Sequence, residues 1–120
     1  MEKVKLTLLQ KQIFDKVSKD PILSRQFYIA INKLLIINRR TRVKDFVDLY
    51  FLLKHFTIWD LIYGVQAKFR MELDIVLIAS DFRKVEEFDF LPKMLVPLKL
   101  SDLKEFFKQK AIELAKRVTE

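Results

Sequence analysis

The sequence predicts an all-α protein, a single compact domain of about five or six helices spanning 1–120. Three observations carry this. The chain of 120 residues has one Gly and three Pro, whereas a sheet protein needs turn residues every few positions. Hydrophobic residues make up 51% and charged residues 32%, a balance that suits a packed core and argues against disorder. Apolar residues recur at helical spacing through several segments bounded by capping residues.

The first helix is expected over Thr7–Lys19, with Thr7 and Gln10 at capping-box spacing and Leu9, Ile13 and Val17 recurring at i+4. Asp20-Pro21 restarts the chain, because Asp caps a helix and Pro is pre-set for its first position. The second helix is expected from Pro21 to about Asn38. Leu23, Phe27, Ala30, Ile31, Leu34 and Ile37 share one face, and Ile22, Ile29 and Ile36 cover another. A helix apolar on most sides belongs at the centre of a core. Its β-branched residues leave a strand over Leu34–Ile37 as the less favoured alternative.

After the basic link Arg39-Arg40-Thr41-Arg42, a third helix is expected over Val43–Phe56, with a stripe of Val43, Phe46, Val47, Tyr50 and Leu53. Thr57 caps a fourth, with Asp60 in its first turn, running to about Phe69; Gly64 weakens its middle. A short helix is expected over Glu72–Ala79. Asp81–Leu100 holds an acidic run and two Pro, and is expected to be an extended connector. Ser101 is the expected cap of a last helix reaching about Val118. Acidic residues stand in its first turn and Lys116 and Arg117 in its last, as the helix dipole favours.

The net charge is +7, which attracts polyanions over a Debye length of about 8 Å at physiological salt. The chain has no Cys, so disulfides and thiolate metal sites are excluded and a reducing compartment fits. The longest apolar stretch, Phe27–Ile37, is shorter than the roughly 20 residues a membrane span needs. No leader is read at the N-terminus, and the expected location is cytoplasmic, without a membrane partner.

The stretch Lys33–Leu53 carries the chemistry. Asp45 and Asp48 stand three apart on a helix and project from one side. Arg39, Arg40, Arg42 and Lys44 lie within six residues of Asp45, and such a cluster suits phosphate oxygens beside a carboxylate. Spacing alone favours a plainer reading, in which Asp45 stabilises a helix N-terminus and Asp48 pairs with Lys44 at i+4. Elsewhere the plainer reading also leads. His55 is a solvated helix end, the Phe are core rather than a base-stacking platform, and the lysines of the last helix are a solvated face.

The same stretch resembles the helical motif of the AbiEii-type nucleotidyltransferase toxins, a family of type IV toxin–antitoxin systems. Lys33 matches its lysine, Arg39 or Arg40 its arginine, and Lys44-Asp45-Phe46-Val47-Asp48-Leu49-Tyr50 the remainder. The likeness continues through Glu86-Glu87 and Leu91-Pro92-Lys93-Met94-Leu95 into the last helix, spanning about 30–118. Residues 1–30 resemble the family's opening, through Leu8-Leu9-Gln10-Lys11-Gln12-Ile13-Phe14 and Phe27-Tyr28-Ile29-Ala30. In the family that opening leads to a Gly-Ser or Gly-Gly-Thr turn and an Asp-x-Asp pair. Here Ala30 runs straight into Ile31-Asn32-Lys33, as if the catalytic middle had been excised.

Nucleotide transfer needs backbone N–H groups to cradle a triphosphate and paired carboxylates to hold metals. The nearest Asp-x-Asp-like pair, Glu87-Phe88-Asp89, follows no Gly-Ser turn. The resemblance therefore implies a truncated, non-catalytic helical domain with Lys33, Asp45 and Asp48 at family-equivalent positions and no cofactor of its own. Its implied partners are RNA or tRNA, a nucleotide, or a cognate antitoxin. Two alternatives stand beside it. One is an active transferase, with Mg²⁺, completed by a second chain that supplies the missing core. The other is a basic module that forms a homodimer through exposed Phe.

Overall fold

The computed structural model describes residues 8–93 and 97–119. Six α-helices and no strand occur among them: α1 Leu8–Ser18, α2 Pro21–Arg39, α3 Val43–Leu52, α4 Ile58–Phe69, α5 Ile75–Arg83 and α6 Leu100–Thr119. None is long and apolar enough to cross a membrane. Thr7, and Met94-Leu95 of the connector, lie outside the described residues.

The helix starts follow local chemistry. Asp20 caps α2, its carboxylate accepting from the N–H of Ile22 at 2.9 Å and of Leu23 at 3.3 Å. Thr57 and Asp60 form a reciprocal capping box on α4, each accepting the other's backbone N–H at 3.0 Å. Each satisfies donors that the first turn would otherwise leave unpaired. At the far end of α4, Arg70 takes the left-handed conformation at φ 52°, a role glycine usually fills.

α2 is central, packing against α1, α3, α4 and α5, while α6 closes the far side on α5 and α3. Its face Phe27, Ala30, Ile31, Leu34 and Ile37 is buried, and the segment Leu34–Ile37 is helical. The second apolar face is only partly covered: Ile36 is half-buried, but Ile22 is 72% exposed and Ile29 is exposed too. Phe27 stacks edge-on with Phe14 and Phe56. A second aromatic row joins the other helices, with Phe46 against Phe88 and Phe107, and Phe107 against Phe82. Edge-to-face rings add about 0.5–1.5 kcal/mol per pair beyond their burial.

Several boundaries differ from expectation. α3 ends at Leu52 rather than Phe56, because the chain must turn before the Thr57 box; residues 53–55 form the turn and bury Leu53 and Phe56. α5 begins at Ile75, where the carboxylate of Asp74 caps it, and runs on to Arg83. A 3₁₀ turn, Lys84–Glu87, extends the helical path, so the irregular connector begins only at Phe88. Burial of Ile78, Phe82 and Val85 at helical spacing carries the chain through residues whose charges had suggested a loop. α6 begins at Leu100, with Ser101 inside its first turn; the N–H groups of Asp102 and Leu103 both donate to the Lys99 carbonyl.

Candidate functional site

The Lys33–Leu53 stretch folds as the end of α2, a short link and α3, and this hairpin brings Lys33 back over the first turn of α3. Lys33 Nζ lies 2.9 Å from Asp45 Oδ1 and 3.0 Å from Asp48 Oδ2, bridging the two carboxylates. Arg40 grips Asp45 from the other side, with Nε 2.9 Å from Oδ2 and Nη2 3.2 Å from Oδ1. Asp45 is 2% exposed. Such a carboxylate survives burial only when paired and hydrogen-bonded, and here both oxygens are satisfied.

Burial alone would raise the Asp45 carboxyl. Hydrogen bonds and charge from Arg40 and Lys33 overcome it and hold the group below the ordinary 3.8. The same balance raises Lys33: burial pushes its ammonium down, and the bonds to Asp45 and Asp48 outweigh it. Arg40 is raised by its hydrogen bond to Asp45.

The structure corrects the expected partner of Asp48, which is Lys33 from α2 rather than Lys44 on its own helix. It also separates the arginines. Arg40 is tied to Asp45, whereas Arg39, Arg42 and Lys44 are exposed and pair with no carboxylate among the described residues. Arg42 sits at the N-cap of α3 and its side chain has no acceptor to offer, so that helix start carries no side-chain cap.

The Asp pair fits Mg²⁺ poorly. Both oxygens of Asp45 and one of Asp48 already accept from cations, and the Lys33 ammonium sits between the two carboxylates. Among the described residues no group of three or more potential metal ligands comes together. Glu87 and Asp89 are exposed and flank the half-buried Phe88. His55 is exposed in the turn after α3, in an open groove with Lys54, Trp59 and Lys110. Most Phe are core, but Phe90 is 71% exposed.

A second buried carboxylate escaped the sequence reading. Asp81 on α5 accepts from Asn38 Nδ2 at 2.9 Å and pairs with Lys84 Nζ at 3.0 Å. Lys84 also donates to the Ile37 carbonyl at 3.2 Å. The i,i+3 spacing of Asp81 and Lys84 was the available signal; the partner 43 residues away on α2 had none. Comparison of the chain with protein-family models, curated proteins and solved structures finds no match.

Proposed function

We propose that this chain is a non-catalytic helical domain, related to the helical part of AbiEii-type nucleotidyltransferase toxins, that binds RNA through the α2–α3 link. One observation carries the reading. Arg39, Arg42 and Lys44 stand exposed and without carboxylate partners, around a helix start that no side chain caps, while the neighbouring Arg40 is held by Asp45. Cations and helix N–H groups together suit phosphate oxygens. The Lys33–Asp45–Arg40 network acts as the scaffold that fixes the link, since its charges are already neutralised internally.

The test is a titration of labelled bulk tRNA at two salt concentrations, with the parent chain and with Arg39, Arg42 and Lys44 all replaced by Ala. Each lost phosphate contact lowers the salt slope by about 0.7–0.9, so the variant slope should fall by about 2–3. Equal affinity and equal slope for the two proteins would remove the proposal.

The convergence of Lys33, Asp45 and Asp48 at one point also supports a second reading, an active transferase whose metal-binding core comes from another chain. A neighbouring reading frame encoding a Gly-Ser turn and an Asp-x-Asp pair would be the first thing to seek. Nucleotide transfer by the co-expressed pair, lost on Asp48→Ala, would establish that reading.

A further inference from the structure

A groove of about 210 Å³ opens between the C-terminal half of α2, the α4–α5 connection and α5. Leu34, Leu35, Leu73, Leu77 and Ile78 make its walls, with Met71 at the mouth, and Asn38 and Asp81 supply polar ground. The charged residues that line it are Glu72, Asp74 and Asp81, and no Lys or Arg does. The chain carries 23 Lys and Arg against 16 Asp and Glu, so this acidic, apolar groove runs against the charge of the whole molecule. Asp81 is neutralised by Lys84 and one oxygen of Asp74 caps α5, so Glu72 and the free edge of Asp74 set the local sign.

The apolar lining is open to solvent at its edge, where Leu77 is 49% exposed and Met71 is exposed too. Exposed apolar surface gathered in one groove marks an interaction site. Drug-sized ligands occupy about 300–1,000 Å³, so this groove is too small for one. It suits a few anchor side chains of a docked helix. Its carboxylates would repel nucleic acid.

We propose that the groove docks an amphipathic helix of a partner protein, one whose apolar stripe is flanked by Lys or Arg. The stripe would seat on Leu35, Met71 and Leu77, and a flanking cation would meet Glu72 and Asp74. Its lining includes none of Arg39, Arg42 and Lys44.

The probe is a labelled helical peptide of about five turns (~18 residues) built from Leu and Lys, with a Leu and Glu peptide of the same pattern beside it. Binding to the full chain is followed by fluorescence anisotropy. General attraction to a chain of net charge +7 favours the Glu peptide; docking in the groove favours the Lys peptide by about tenfold or more. Leu77→Ser removes an anchor and Glu72→Lys reverses the rim. Both positions are exposed, so both variants should keep their helical circular dichroism while weakening the Lys peptide several-fold. Equal or tighter binding of the Glu peptide, or no effect of Glu72→Lys, overturns the proposal. So does a concentration-dependent dimer of the parent chain that Leu77→Ser abolishes, since the occupant is then a second copy.

Discussion

Gly64, the only glycine in the chain, stands against the tip of the Phe27 ring: a Cβ built on it would strike Phe27 Cζ and lie 2.9 Å from Cε2. The same Cβ would come within 3.0 Å of Ile31 Cγ2. The glycine that weakens α4 as a helix is what lets α4 close against α2.

Gly64→Ala sets two effects against each other. Helix propensity favours Ala by about 1 kcal/mol. Overpacking a tight core costs about 1–3 kcal/mol, and Phe27 cannot swing aside because Phe14 and Phe56 hold it edge-on. The clash should win, lowering the melting temperature by several degrees, at about 4 °C per kcal/mol for a domain of this size. An unchanged or raised Tm would show that the α2–α4 contact is looser than described.

Asp45 and Asp48 share a helix, a sign and a lysine, yet should respond differently to truncation. Asp45→Ala removes a buried acceptor of three charge-assisted bonds and should destabilise by about 2–3 kcal/mol in urea unfolding. Asp48, its side chain 38% exposed, should lose less than about 1 kcal/mol on the same change. Equal losses would mean that the network does not depend on burial.

The same network sets a pH window. Asp45 titrates below the ordinary 3.8 when folded, so its contribution is complete above that value and is lost as pH falls through the folded pKa. Lys33 titrates above 10.5 when folded, so its contribution is complete below 10.5 and is lost as pH rises through the folded pKa. Urea midpoints should therefore be flat from about pH 5 to 10 and fall on both sides. Asp45→Ala should blunt both falls. A parent profile without an acid limb would contradict the assignment.

Nucleotide transfer by the chain alone should be absent. In-line phosphoryl displacement depends on positioning and on metal-held charge neutralisation, and the Asp45–Asp48 pair is already occupied by Lys33 and Arg40. Incubation with each labelled nucleoside triphosphate, Mg²⁺ or Mn²⁺ and bulk tRNA should leave the label unincorporated. Incorporation that disappears with Asp48→Ala, a variant expected to stay folded, would show that the helical motif carries more chemistry than proposed.

The sequence by itself determined the class of fold and the capped starts of α2 and α4, because those depend on interactions within one turn. Asp20-Pro21 and Thr57–Asp60 meet backbone donors two or three residues away, and the Phe27–Ile37 face repeats at the helical period, so no distant partner is needed to recognise them. The i, i+3 spacing of Asp45 and Asp48 also put both carboxylates on one side of a helix, but the arrival of the Lys33 ammonium between them belongs to the packed structure. Only the tertiary structure decided which charges are neutralised. Lys33 reaches across 12 residues to Asp45, and Asn38 across 43 to Asp81, and neither separation leaves a periodic trace. It likewise decided that α5 runs through Asp81 to Arg83, since a charged residue reads as a loop until a partner on another helix lets it be buried. Burial of a carboxylate is a property of everything around it, and that environment exists only once α2, α3 and α5 have packed.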